Sequence, residues 1–416
     1  MRIALLSYRS KQHSGGQGVY VRNLSAGLAD LGHEVTIFSG QPYPEDLHPE
    51  VRLEKVPSLD LYRDDDPFRT PRLREFRDWI DVLEYLQMLT AAFPEPLTFS
   101  LRARRLDLSG FDVVHDNQSL GFGLLLINRR QPFLATIHHP ISRDRALDIA
   151  AAPLRKQVTT RRWYAFVRMQ AFVARRIRTI LGVSSASAGD TVADFRLRPE
   201  QMTVVPLGVD TDLFSPSDER VPGRLVVVAS ADSPLKGLSH FLDAAAKLST
   251  DRDIDVQLVS NLDPDGTAYQ RIHRGDLAGT VTVHSGISDE ELAALISSAQ
   301  VMVVPSLYEG FSLPAVEAMS CGTPLVASAA GALPEVVGDA GVLVEPGDVE
   351  QLVTQIGRLL DDPAERERLS SVARRRAIER FSWLAVARAT AQAYEKVIGD
   401  HRARQSRDGR NPHADR

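Results

Sequence analysis

Short apolar runs of strand length recur along the chain, and a stretch with helical spacing separates most of them from the next. RIALLSY, VTIFSG, FDVVH, PFLATIHH, IRTILGVSS and MTVVPLG form one series; RLVVVAS, DIDVQLVS, VTVHSG, AQVMVVPS, TPLVAS and GVLVEP form a second. A continuous apolar run fits a strand covered on both faces, and helical crossovers are what parallel neighbours require. The pattern predicts α/β architecture with two doubly wound Rossmann-like domains facing a central cleft, because ligands of such sheets bind beyond the carboxyl ends of the strands. Between the series, GVDTDLFSPSDERVPG is rich in turn formers and lacks periodicity, as a linker does. The expected division is one domain over residues 1–207 and a second over 220–380. A helix over 381–400, able to pack back on the first domain, and a disordered polar tail over 401–416 complete it.

With 416 residues the chain can bury large cores, and its formal charge of -5 gives no reason to expect a nucleic-acid partner. Its single cysteine, Cys321, cannot form an internal disulfide and fits a reducing compartment. No stretch is apolar and uncharged for the ~20 residues of a membrane helix, so a cytoplasmic location is expected. Residues 155–178 carry eight basic and no acidic side chains, interrupted by Trp163, Tyr164, Phe166 and Phe172. That composition allows peripheral contact with the inner face of a membrane or with a phosphorylated acceptor. It equally fits a helix that packs its aromatic face and turns its arginines to water.

In SGGQGVYVRNL, Gly15, Gly16 and Gly18 fall at a strand-to-helix turn, with the helix expected over about 19–31. Helix-start amides there can meet an anion, or the glycines can simply form a turn. The spacing departs from GxGxxG and no acidic residue closes VTIFSG, so a redox dinucleotide is not indicated. His138 and His139 close a strand without a cysteine or suitably spaced carboxylate nearby, which is a poor metal signature, and Asp64 to Asp66 read as a solvated cluster. His115 ends FDVVH, with Asp116 and Asn117 following in the turn, and these residues could contact an acceptor or cap the next helix. Glu309 and Glu317 stand eight residues apart, before and inside a helix opened by Pro314. Carboxylates there can accept from vicinal hydroxyls, and the amides from Gly310 to Leu313 can hold an oxyanion. Ser288 and Glu291 have the spacing of a capping box.

EGFSLPAVE, GALPEVV and CGTPLVAS resemble family 4 glycosyltransferases, and the likeness spans nearly the whole chain. It implies a retaining, metal-independent hexosyltransferase without a cofactor, whose first domain binds the acceptor and whose second binds a nucleotide sugar. By resemblance, Glu309 contacts hydroxyls of the transferred sugar, Glu317 accepts from the ribose, and Phe311, Ser312 and Leu313 form the loop beside sugar and diphosphate. Lys236 matches a lysine directed at the diphosphate, while the arginine that usually precedes it has no counterpart in SADSPL. His138 matches a histidine that looks toward the donor sugar, and the loop of Gly15, Gly16 and Gly18 reaches toward the diphosphate. His115, Asn117 and Arg143 are the acceptor candidates. Cys321 reads as a small core residue, not a nucleophile.

Mannose from GDP-mannose is the first expectation for the donor and glucose from UDP-glucose the second, with a sugar, oligosaccharide or glycolipid as acceptor. Two rivals stay open: sugar-phosphate synthesis, with cations near Arg143, Arg161 or Arg162, and a nucleotide-sugar-binding regulatory protein that has lost transfer.

Overall fold

A computed structural model describes residues 1–408 apart from 11–15, 64, 140, 142–144, 146–147, 150–151, 218 and 230–233. Gly15 and Arg143, and the residues from Ser230 to Ser233 where the arginine is missing, lie outside the described residues. The chain forms two compact units. The first comprises Met1–Val183, Ser187–Val205 and the chain from Val386 onward; the second comprises Ser184–Ala186 and Pro206–Ala385.

In the first unit, seven parallel strands run in the order β3-β2-β1-β6-β7-β8-β9. They are β1 (Arg2–Ser7), β2 (Glu34–Ser39), β3 (Arg52–Lys55), β6 (Val113–Asn117), β7 (Phe133–Ile137), β8 (Ile180–Gly182) and β9 (Met202–Val204). A separate antiparallel pair, β4 (Tyr62–Arg63) and β5 (Asp66–Pro67), belongs to the long excursion after β3. Ile3, Ala4, Leu5 and Leu6 of β1 and every residue of β6 and β7 are buried, as strands covered by helices on both faces must be. One core packs Leu6, Val114 and Ile137 against Phe99, Leu124 and Val173 from the crossover helices.

The second unit has six parallel strands in the order β12-β11-β10-β13-β14-β15. They are β10 (Arg224–Val228), β11 (Asp255–Val259), β12 (Val281–His284), β13 (Val301–Val304), β14 (Leu325–Ser328) and β15 (Val342–Val344). Counted from β10, this is the 3-2-1-4-5-6 order of the Rossmann fold, whose direction reverses between β10 and β13. The first unit reverses likewise between β1 and β6. Two separate doubly wound sheets are thus present. Ser288 opens the helix Asp289–Ser298 with the anticipated capping box: its hydroxyl accepts from the Glu291 amide at 3.2 Å, and its own amide donates to Glu291 Oε2 at 2.8 Å.

Two boundaries differ from the sequence expectation. The first helix begins at Gly16, not near residue 19, so Gly18 lies inside its first turn. The last helix runs Trp383–Asp408, through half of the segment expected to lack structure; residues 409–416 lie outside the described residues. Tyr394 explains the persistence of this helix, since its fully buried ring packs edge-on to His115 of β6 at 5.6 Å.

Candidate active site

In the second unit, the loops that follow β10, β13 and β14 lie at the carboxyl ends of adjacent strands, next to the point where strand order reverses. Lys236 closes a 3-10 turn after β10, and Gly237 then caps the helix Leu238–Leu248 in a left-handed conformation, φ +65°. A side chain at Gly237 would place Cβ 2.0 Å from the Pro305 carbonyl oxygen, so this close approach of the β10 and β13 loops requires glycine. The Leu307 amide donates to the Leu235 carbonyl at 2.7 Å and locks the two loops together. Lys236 Nζ consequently stands 2.8 Å from Glu309 Oε1, which also accepts from Ser306 Oγ at 2.8 Å. Glu309 is buried and Lys236 about one-third exposed, so a charged pair is held at the edge of solvent.

The loop after β14 fixes the backbone of Glu309. Gly331 has φ +58°, and a Cβ there would lie 2.2 Å from the Glu309 carbonyl oxygen, to which the Ala332 amide donates at 2.9 Å. Beyond Glu309, Phe311 turns its ring into the core and meets Phe381 edge-on at 5.9 Å, so this residue offers the loop its backbone. Ser312 takes φ +91° as N-cap of the helix Leu313–Ser320, and its hydroxyl is buried without a hydrogen-bond partner. A β-carbon residue at that φ stores strain, and the helix start is left without a side-chain cap. Leu313 is partly exposed on its first turn. Glu317 stands half-buried one turn on; burial pushes its carboxyl up to about 7, and Asp289 acts in the same direction. Cys321 is fully buried and its thiol is pushed up to about 12, chiefly by burial, which fits a packing residue.

In the first unit, β6 and β7 carry a second polar cluster on their carboxyl ends. His138 follows β7, and its backbone amide donates to Gln118 Oε1 at 2.8 Å. Gln118, left-handed at φ +56°, returns its amide to the His139 carbonyl at 3.1 Å and so clamps the strand end. Asn117 closes β6, with Nδ2 3.3 Å from the Gln17 carbonyl and Oδ1 2.8 Å from His138 Nε2. A carbonyl only accepts, so Gln17 fixes the orientation of the Asn117 amide, and Asn117 Oδ1 in turn requires the proton on Nε2. The lone pair of His138 is thereby placed on Nδ1. Burial, with His139 adding to it, lowers His138 to about 3, so the ring is neutral. Tyr20 packs edge-on against it, ring centroids 4.7 Å apart.

His115 and Asn117 were acceptor candidates, but both are fully buried. His115 Nδ1 meets Tyr394 OH and Nε2 meets Thr136 Oγ1, each at 2.7 Å, leaving neither ring nitrogen open to an acceptor. Burial holds it near 3, hence neutral. Thr136 Oγ1 also lies 3.2 Å from Tyr20 OH, so Tyr394, His115, Thr136 and Tyr20 form a continuous line that ends on His138. Asp116 does not cap the next helix, whose N-cap is Gly123 with no side-chain cap; it braces the loop after β6, accepting from Ser119 Oγ and from the Leu120 amide. Gly16 opens the first helix and Gln17 ties it to Asn117, so this helix start is anchored beside His138. Ser306, Gly331, Gln118, Thr136, Tyr20 and Tyr394 escaped sequence reading. Gly331 within GALPEVV carried the only local signal, a glycine directly before a helix.

Among the described residues, no three His, Cys, Asp or Glu side chains gather as a metal site, and no helix is long and apolar enough to cross a membrane.

Two glycosyltransferase family models match consecutive parts of the chain: residues 14–213 match Glycosyltransferase Family 4, and residues 210–376 match Glycosyl transferases group 1. An MMP alpha-(1->4)-mannosyltransferase from Mycolicibacterium hassiacum is 59% identical over 406 residues, covering 96% of this chain and 98% of that protein. A D-inositol 3-phosphate glycosyltransferase from Xylanimonas cellulosilytica is 30% identical, covering 97% and 98%. Among solved structures, sucrose-phosphate synthase from Thermosynechococcus elongatus shares the fold with a TM-score of 0.65 at 24% identity, covering 96% of this chain and 99% of that one. The chain belongs to the family 4, group 1 glycosyltransferases, and it is an enzyme that transfers a sugar from a nucleotide donor.

Proposed function

We propose that the protein is a retaining mannosyltransferase that moves mannose from GDP-mannose to a hydroxyl of an α-mannoside acceptor, forming an α-(1→4) linkage. The observation that carries this reading is the 59% identity, over nearly the full length of both chains, to a relative described as an MMP alpha-(1->4)-mannosyltransferase. Donor GDP-mannose is α-linked, so an α product means retention.

The second unit is the donor half in this reading. Glu317 accepts from the ribose hydroxyls, the uncapped helix start from Ser312 onward and Lys236 meet the diphosphate, and Glu309 receives hydroxyls of the mannose. Lys236 and Glu309 form one ion pair, so phosphate and sugar recognition are mechanically linked through a single contact. In the first unit, His138 Nδ1 accepts from a sugar hydroxyl, and the helix opened by Gly16 contributes amides to the phosphate. The step is a front-face displacement: the bond from C1 to the phosphate oxygen breaks and the bond from C1 to the acceptor oxygen forms on the same face. The acceptor proton passes to the departing phosphate oxygen, and the developing charge meets Lys236 and the helix amides. The scheme uses no glutamate nucleophile: Glu309 and Glu317 are assigned to hydroxyls of the sugar and of the ribose. No metal ion is needed in this scheme.

The test is release of nucleoside diphosphate from a panel of GDP- and UDP-sugars, with and without EDTA. Turnover of GDP-mannose that survives chelation is expected. Preference for UDP-glucose would redirect the donor assignment, loss of turnover with EDTA would remove the metal-independent step, and binding without release would favour a regulatory protein.

A further inference from the structure

The helix Trp79–Leu89, in the excursion between β3 and β6 of the first unit, is built inside out. Its two carboxylates, Asp81 and Glu84, are each 1% exposed, whereas Trp79, Val82, Leu86 and Leu89 are 52, 44, 54 and 59% exposed. Positions 79, 82, 86 and 89 follow helical spacing and share one face, so the exposed apolar groups form a continuous stripe. Arg102 holds the carboxylates inside, donating to Asp81 Oδ1 at 2.6 Å and also to Glu84. Tyr85, bordering the stripe, and Met88 pack with Tyr62, Phe93 and Trp163 in a small aromatic core. The polarity of the helix is therefore set by its anchoring and leaves the stripe exposed.

The flank of the stripe at its Thr90 end is cationic. Trp163 brings in the helix Gln157–Trp163, which has no acidic residue and buries no side chain completely. Its Arg162 reaches Thr90 at the end of the stripe, Nη2 to Oγ1 at 3.4 Å. Val158 shares a face with Arg162, four residues on, and is 73% exposed. Arg155, Lys156 and Arg161 are exposed as well, while at the other end the Arg105 guanidinium, paired with the N-cap Asp78, lies over the Trp79 ring at 5.7 Å. A second copy docking through this face would set guanidinium groups against guanidinium groups. An apolar stripe with a cationic flank complements a surface that is apolar within and anionic at its boundary, which is the interfacial layer of an acidic bilayer.

We propose that the helix Trp79–Leu89, flanked by the basic helix Gln157–Trp163, is a peripheral docking surface for membranes bearing anionic lipids. The stripe inserts among the headgroups while Arg155, Lys156, Arg161 and Arg162 meet lipid phosphates. The helix Trp79–Leu89 carries none of the residues assigned to donor or acceptor, so transfer to a soluble acceptor should not depend on its exposed stripe.

Flotation of the full chain with phosphatidylcholine vesicles, with and without phosphatidylglycerol, tests the proposal. Binding is expected only with phosphatidylglycerol and falls as salt rises. Leu86→Glu with Leu89→Glu should lower partition by at least roughly tenfold through lost apolar insertion. Arg161→Glu with Arg162→Glu should do the same through lost charge. Both variants alter exposed side chains and should keep the wild-type melting temperature, and the leucine variant should also keep soluble-acceptor activity. Absence of flotation, undiminished flotation of the leucine variant, or a wild-type dimer that the leucine variant dissociates, would each overturn the proposal.

Discussion

Replacing Asn117 by aspartate changes one polar atom in the wall around His138, and the structure sets the size of the effect. In the native chain the Asn117 oxygen takes Nε2–H at 2.8 Å, leaving Nδ1 as acceptor, and burial keeps the ring neutral down to about 3. A carboxylate at the same distance favours the imidazolium; an opposite charge at this range is worth about 1–3 pKa units, or roughly 1.4–4 kcal/mol. The variant ring should then titrate at roughly 4–6. Below that value both nitrogens carry protons and no lone pair remains for a hydroxyl. At neutral pH the proton stays on Nε2, but the donor to the Gln17 carbonyl becomes an acceptor: the lost hydrogen bond costs about 1 kcal/mol and the buried facing oxygens repel, so a loss of at least about fivefold in rate is expected. Nitrogen-15 spectra of the His138 ring across pH read this directly, and Asn117→Ala supplies a control without the added charge. An unshifted ring in Asn117→Asp, or a wild-type proton on Nδ1, would refute the tautomer chain from Gln17 to His138.

Other expectations follow from the same geometry. Glu309→Ala should cut transfer far more than nucleotide affinity, whereas Glu317→Ala should weaken nucleotide binding, measured by calorimetry; unchanged affinity in the second variant contradicts the ribose role. Glu317 is raised from 4.5 to about 7 by burial, so the native chain holds an extra proton between those values and loses stability as pH rises through them. Glu317→Gln should accordingly raise the melting temperature at about pH 8 and leave it unchanged near 4.5, while nucleotide affinity of the wild type falls below about 7. Gly331→Ala must abandon φ +58° and the 2.2 Å approach to Glu309, costing about 1–2 kcal/mol in stability from the left-handed backbone alone. A shift of Glu309 by ~1 Å should also lower kcat about a hundredfold. Tyr394→Phe leaves His115 Nδ1 unpaired in the core, which costs about 1–3 kcal/mol and should lower kcat with nucleotide affinity intact.

The strands were legible because a doubly covered parallel sheet writes itself as uninterrupted apolar runs: β1, β7 and β13 fall within RIALLSY, PFLATIHH and AQVMVVPS, while β6 starts inside FDVVH and runs on through Asp116 and Asn117, expected in the turn. Lys236 and Glu309 were legible through motif resemblance, and their 2.8 Å contact brings together residues 73 positions apart. What escaped was burial and partnership across distant chain. His115 reads identically whether it faces a ligand or, as here, a tyrosine 279 residues away. Gly16 as helix start was missed because glycine ordinarily lowers helix propensity, and here anchoring of Gln17 by Asn117 outweighs it. The helix Trp79–Leu89 shows the limit of polarity patterns, since Arg102 lets two carboxylates face inward.

Proton NMR of the product from GDP-mannose and a soluble α-mannoside oligosaccharide, with UDP-glucose in competition and EDTA present, tests the central proposal most directly. The expected product carries one added mannose in α-(1→4) linkage, with UDP-glucose unconsumed. A β-linked product would contradict retention, and transfer of glucose in place of mannose would contradict the donor.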